Sequence, residues 1–294
     1  MIYAVRHSTK YSYEAPVSAS YGQLHMLPRE APGQLCRRAE VHVSPTPEVY
    51  RERIDFFGNR VSHFVLQEPH TELAISAASV VEVDDRSGAV SLFGERSWES
   101  VRDAVADHQV DYQISQYVLD SPLVEAAEQY LDYARDCFGP GAGLLAAVSA
   151  LSTRIHQDFA YTPGATSVST PLAEVFERRE GVCQDLAHLG IACLRALGLP
   201  ARYVSGYLET LAPPGQPKLT GVDGSHAWLS VYMPDAGWID VDPTNDQLVN
   251  GRYVVTAVGR DYSDVPPMQG VIYTEGKTEA LEVKVDVTPI DPDG

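Results

Sequence analysis

Hydrophobic positions change period along the 294-residue chain. In the first 84 residues, short apolar-polar alternations recur at Ile2 to Val5, Glu40 to Val43, Tyr50 to Phe57, Val61 to Leu66 and Leu73 to Val83. Phe56-Phe57-Gly58-Asn59-Arg60 and proline-rich spacers at 28–32 and 45–47 separate them. Short strands punctuated in this way predict a β-sandwich. Between 85 and 140 the period becomes helical. Ser121-Pro122 has the form of a helix start, with proline at the first helical position. Leu123, Ala126, Ala127, Tyr130, Leu131 and Ala134 then follow at helical spacing. Phe138-Gly139-Pro140-Gly141 ends that helix, and a second is predicted over Leu144 to Asp158.

A Thr/Ser/Pro/Gly-rich loop occupies 159–171, and a short helix is expected over Leu172 to Glu180. Gly181 breaks it. The next segment, opening at Cys183, is so apolar that its helix should be mostly buried, with Gly198 and Pro200 as the stop. Strands are expected over Ala201 to Leu208, Ala227 to Met233, Trp238 to Val241 and Tyr253 to Val258. Leu281, Val283, Val285 and Val287 alternate with charged residues as a half-buried strand. The polar, Pro/Gly-rich loop 209–224 is a candidate cap for a cleft.

The length favours two domains over one. The net charge of −18, from 22 basic and 40 acidic residues, opposes nucleic-acid and anionic-membrane partners. Four cysteines without paired spacing fit free thiols in a reducing compartment. The N-terminal residues lack a continuous apolar core and no run of 18 apolar residues occurs, so a cytoplasmic location is expected.

The chemistry concentrates at Cys183. A thiolate is the nucleophilic form of cysteine, and the unpaired N–H groups and dipole of a helix start favour it. Cys183 opens a buried helix directly after the Gly181 break. His226 heads one predicted strand and Asp242 ends another, with the turn Pro234-Asp235-Ala236-Gly237 between them. Paired as a hairpin, the two strands bring His226 and Asp242 to the same end of the ribbon. Asp242 would orient the imidazole, His226 would take the Cys183 proton and return it to a leaving amine, and helix-start N–H groups would hold an oxyanion.

Gly181-Val182-Cys183-Gln184-Asp185, the run Ala196 to Tyr207, His226-Ala227-Trp228 and Asp242-Pro243-Thr244 together resemble the bacterial transglutaminase-like superfamily. Phe159 to Thr166 is similar to the family's approach to its cysteine. Tyr11-Ser12-Tyr13, Pro28-Arg29 and Phe57-Gly58-Asn59 resemble the β-sandwich that precedes the core in many bacterial members. The resemblance implies an α+β protein: a β-sandwich over 1–84, a helical connection over 85–140, a papain-like core over 141–260 with a Cys-bearing helix on an antiparallel sheet, and a C-terminal strand region over 261–294. It implies that Cys183, His226 and Asp242 are the catalytic positions. It also implies a cysteine peptidase or amidase acting on a peptide or protein through a thioester, without metal or cofactor. Gln184 stands where animal crosslinking members carry a tryptophan, which weakens a crosslinking role. Amide transfer to an amine, or a silent binding module, are the alternatives.

Other residues have plainer readings. Cys193 is mid-helix and reads as a packing residue, as do Cys36 and Cys137. Cys183, His188 and Cys193 cannot share a helix face at five-residue spacing, so they do not form a zinc site. Asp240 shares a strand face with Asp242, and spacing alone does not exclude it as the orienting carboxylate. Asp185 reads as helix-start electrostatics. Trp228 is either a cleft wall or a core aromatic. Tyr161, Thr170 and Tyr207 are candidate substrate contacts that read more readily as packing or loop residues.

Overall fold

A computed structural model of the protein describes residues 1–85, 96–211 and 224–291. Its first sheet is built around one long strand, β1 (Ile2–Leu24). The first half of β1 lies between β5 (His70–Val83) and β14 (Thr278–Ile290), with Val5 opposite Ser79 and Val287. The second half lies between β4 (Arg60–Leu66) and β13 (Met268–Thr274), with Tyr21 opposite Val65 and Val271. The register shifts between Ser12 and Val17, around Pro16, which has no N–H to give to a ladder. β2 (Gln34–Ser44) flanks β5, and β3 (Val49–Ile54) flanks β4. The C-terminal strands therefore complete the sheet that the N-terminal strand begins.

The second sheet has the order β11-β10-β9-β8-β12, from β8 (Ala201–Leu208), β9 (Ser225–Met233), β10 (Gly237–Asp242), β11 (Gln247–Leu248) and β12 (Tyr253–Gly259). Helix α6 (Cys183–Ala196) packs on β9. Gly190 permits the approach, since a Cβ there would stand 2.3 Å from Leu229 Cδ2. Leu186, Leu189 and Leu194 of α6, Leu151 and Ile155 of α4 (Leu144–Asp158), and Tyr203, Leu229 and Val231 of the sheet form the main core. Each fully buried leucine in it contributes roughly 1.5–3 kcal/mol. The α+β class expected from the sequence holds: an antiparallel β region, then a helix-on-sheet core.

The helix expected from Ser121 starts later, as α3 (Glu128–Ala134). Tertiary partners hold the stretch before it. Asp261 accepts the Leu123 N–H at 2.8 Å, Asp120 accepts the Ala126 N–H at 2.9 Å, and Arg195 donates to the Ser121 hydroxyl at 2.9 Å.

Two side-chain amides join the units. Asn59 donates to the Val258 carbonyl and accepts its N–H, at 2.8 and 2.9 Å. Gln34 makes the same pair with Val255, at 2.8 and 2.7 Å. β12 is an edge strand, so these amides supply the partners that a further strand would supply.

Candidate active site

Cys183 is the first residue of α6, and what precedes it fixes its place. Arg179 ends α5 (Leu172–Arg178) in the left-handed region, at φ 57°. The chain then forms β7 (Glu180–Gly181), parallel to β6 (Ala160–Tyr161). Asp185, in the first turn of α6, accepts the Val182 N–H at 2.8 Å and the Thr166 hydroxyl at 2.6 Å. Its carboxylate is buried, and burial raises its pKa although both hydrogen bonds oppose the rise. The expectation of a helix-start role for Asp185 is met in this cap. Gly181 makes the cap sterically feasible: a Cβ there would lie 2.8 Å from Asp185 Cβ.

β9 and β10 form the hairpin that the sequence suggested. Val241 pairs with Leu229 and Asp240 with Ser230, which leaves His226 and Asp242 as diagonal neighbours at the open end. His226 Nε2 donates to Asp242 Oδ2 at 2.7 Å, and the Cys183 thiol lies near enough to the ring to influence its titration. Burial pulls the imidazole pKa down, but Asp242 and Cys183 outweigh it and lift the pKa to about 10. With Nε2 held by Asp242, Nδ1 is the nitrogen left for the thiol.

Asp242 is completely buried. Burial alone would raise its pKa, yet it is lowered, because His226, Asn245 and Tyr253 all stabilise the anion. Oδ2 also accepts from Tyr253 Oη at 2.7 Å and Asn245 Nδ2 at 2.6 Å, while Oδ1 accepts the Thr244 N–H at 2.9 Å. The rival, Asp240, lies two residues earlier on β10, bonded to Ser230 and facing Arg202.

The bacterial transglutaminase-like N-terminal region matches residues 3–82, and the transglutaminase-like superfamily matches 132–243. An uncharacterized protein of Mycobacterium tuberculosis (strain ATCC 25618 / H37Rv) is 40% identical over 99% of this chain and 94% of its own. The chain belongs to the transglutaminase-like superfamily. A protein-glutamine gamma-glutamyltransferase of Pseudomonas aeruginosa is 41% identical over 103 residues, which are 34% of this chain and 15% of that protein. The crystal structure of a candidate cysteine protease from Cytophaga hutchinsonii superposes with a TM-score of 0.74. It is 22% identical, over 99% of this chain and 92% of that one, and shares the fold.

Within this transglutaminase-like core the remaining sequence candidates sort clearly. His188 is buried and accepts the Tyr262 N–H at 3.1 Å, a packing and hydrogen-bonding role. Cys193 is fully buried in the core. Tyr207 is buried at the junction of the units, where it donates to the Met26 carbonyl at 3.0 Å. Thr170 caps its own loop by accepting the Ser167 N–H at 2.9 Å. Tyr161 differs: it is 54% exposed, and its pKa is raised by burial and by the neighbouring Cys183. Trp228 is buried, 6.1 Å from the His226 ring and 5.2 Å from that of Tyr253. Residues 212–223 of the loop considered as a cap lie outside the described residues.

Two residues of the site escaped the sequence reading, Tyr253 and Asn245. Asn245 follows the Asp242-Pro243-Thr244 signature directly, so a turn bonding back to its first carboxylate was a readable signal. Tyr253 carried no such signal, because only the β8–β12 pairing brings it beneath Asp242. Among the described residues no cluster of three or more His, Cys, Asp or Glu side chains is placed to hold a metal ion.

Proposed function

We propose that the protein is a cysteine-dependent amide hydrolase, a peptidase or amidase. The observation that carries this reading is the His226 ring, held by buried Asp242 and close enough to the helix-start thiol of Cys183 for the two to influence each other's charge. In this role Cys183 Sγ attacks the amide carbonyl carbon, and the oxyanion is held by N–H groups at the start of α6. The tetrahedral intermediate collapses as the C–N bond breaks, and the imidazolium gives its proton to the departing amine. A thioester remains. Neutral His226 then takes a proton from water as the water oxygen attacks the thioester; the C–S bond breaks, the imidazolium returns the proton to the Cys183 sulfur, and the acid product is released. Four unpaired cysteines support the reducing cytoplasm as the setting, and peptides or proteins are the proposed substrates.

Digestion of a peptide library by wild type and by Cys183→Ala tests the reading. Cleavage by wild type alone is the expected result; equal cleavage by the variant overturns it. A second reading, transfer of the acyl group to an amine, draws on the likeness to the protein-glutamine gamma-glutamyltransferase of Pseudomonas aeruginosa. Incorporation of a labelled primary amine at the expense of hydrolysis would favour it. A third, a silent binding module, would be favoured if a thiol-reactive probe labelled Cys183 no faster than a model thiol.

A further inference from the structure

On the sheet face turned away from α6, a cavity of about 350 Å³ lies between the loop after β1 and strands β8, β10 and β12. Arg29, Arg202, Trp238, Asp240 and Tyr253 line it, with Pro32, Ile239 and Val255 among its apolar walls. The Arg202 guanidinium lies over the Trp238 ring at 4.2 Å. Its Nε is buried without a hydrogen-bond partner. Burial lowers its pKa to about 10, which leaves it a cation at neutral pH. Arg29 donates to the Glu30 carbonyl at 3.3 Å and to Asn59 Oδ1 at 2.8 Å through Nε and Nη1, which leaves Nη2 over.

A buried guanidinium N–H without a partner is costly, and an acceptor that completes it recovers that cost. The guanidinium fork matches a carboxylate, two parallel N–H groups to two oxygens. Asp240 narrows the choice. Its carboxylate is half-buried, accepts from Ser230 and faces Arg202, so it already offsets part of the positive charge. A monoanion is tolerated beside it better than a dianion such as phosphate. The apolar walls and Trp238 favour a ligand with a hydrocarbon body.

We propose that this cavity binds a small apolar monocarboxylate, its oxygens between Arg202 and Arg29 and its hydrocarbon part against Trp238, Pro32 and Val255. The site is independent of Cys183 chemistry. It is one side chain removed from the candidate active site, because Tyr253 borders the cavity and donates to Asp242.

Isothermal titration of isovalerate into the Cys183→Ala protein at neutral pH tests the site in the absence of turnover, with acetate and inorganic phosphate as controls. Saturable one-to-one binding is expected, about tenfold or more tighter than acetate, since three further carbons are buried. Arg202→Lys keeps the charge and loses the fork, and Arg29→Gln loses the second cation; each should weaken binding by about tenfold. Circular dichroism checks both folds, and Arg29→Gln carries the test if Arg202→Lys does not fold. No saturable binding at millimolar isovalerate, undiminished affinity in the folded variants, or phosphate binding as tightly as isovalerate would each overturn the proposal.

Discussion

Tyr253 donates its hydroxyl to Asp242 Oδ2 at 2.7 Å, the same oxygen that receives the His226 Nε2–H. Burial, and then the Asp242 charge, push the tyrosine pKa up, so it remains a donor throughout the neutral range. Removing this donor leaves a buried anion with one partner fewer. Tyr253→Phe keeps the ring packed on Trp228. It should lower the unfolding free energy by roughly 1–3 kcal/mol and slow peptide turnover several-fold. Denaturant melts and kcat/KM check this; if neither changes, the bond is idle.

The His226 pKa sets an alkaline limit. As the proton donor to a leaving amine, the ring must be charged, so activity should fall as pH rises through about 10. The same shift bears on stability. A histidine raised from 6.5 to about 10 by its partners gives stabilisation that is complete below pH 6.5 and lost as pH rises through 10. Asp242→Asn removes one cause of the rise and should move the alkaline limb of kcat/KM to lower pH while reducing its height. An alkaline limb unmoved in Asp242→Asn would detach the carboxylate from the behaviour of His226.

Much of this site was readable from spacing. His226 and Asp242 each lie eight residues from Pro234, one before it and one after, and a hairpin converts that spacing into proximity. Spacing left Asp240 open because both share one face, and the family resemblance chose Asp242; in the structure His226 bonds to Asp242, while Asp240 pairs with Ser230. The outer limits of β1 were not readable. Only Ile2 to Val5 has a strongly apolar pattern, whereas the polar middle is held as a strand by neighbours on both sides, one of them some 280 residues away in sequence. The false helix start at Ser121 fails for a related reason: Asp261 and Arg195 engage that backbone and hydroxyl from distant positions.

Gly181 tests whether the Cys183 helix start depends on close packing. An alanine Cβ would meet Asp185 at 2.8 Å, against backbone-anchored atoms that cannot swing aside. Gly181→Ala should therefore displace the Asp185 cap and with it Cys183. A loss of roughly 1–3 kcal/mol in stability and a larger proportional loss in the rate of Cys183 alkylation are expected. Alkylation at the wild-type rate would show that the helix start absorbs the methyl group.

Asn59 tests the junction. Its side chain is fully buried and satisfies both the N–H and the carbonyl of Val258. Asn59→Leu fills similar volume but leaves both backbone groups and the Arg29 Nη1 donor unpaired. A cost of about 2–5 kcal/mol follows from leaving buried polar groups unmet. Chemical denaturation measures it, and a cost below about 1 kcal/mol would mean that water replaces the amide.

His188 governs part of the acid limb of stability. Burial, assisted by Arg195 and opposed by Asp261, lowers its pKa to about 4. The neutral ring accepts the Tyr262 N–H at 3.1 Å, a bond the imidazolium cannot accept. Its folded pKa is depressed, so its contribution is present above pH 6.5 and is lost as pH falls through about 4. His7 shares this behaviour, since burial lowers its pKa to about 4 as well. Between these limits each buried histidine adds a slope of about 1.4 kcal/mol per pH unit. His188→Gln keeps an acceptor for Tyr262 and does not titrate. Its unfolding free energy, measured from pH 7 to pH 4, should therefore fall less steeply than that of wild type by the slope of one proton, with the His7 slope remaining. Identical slopes in the two proteins would place the proton uptake of acid unfolding elsewhere.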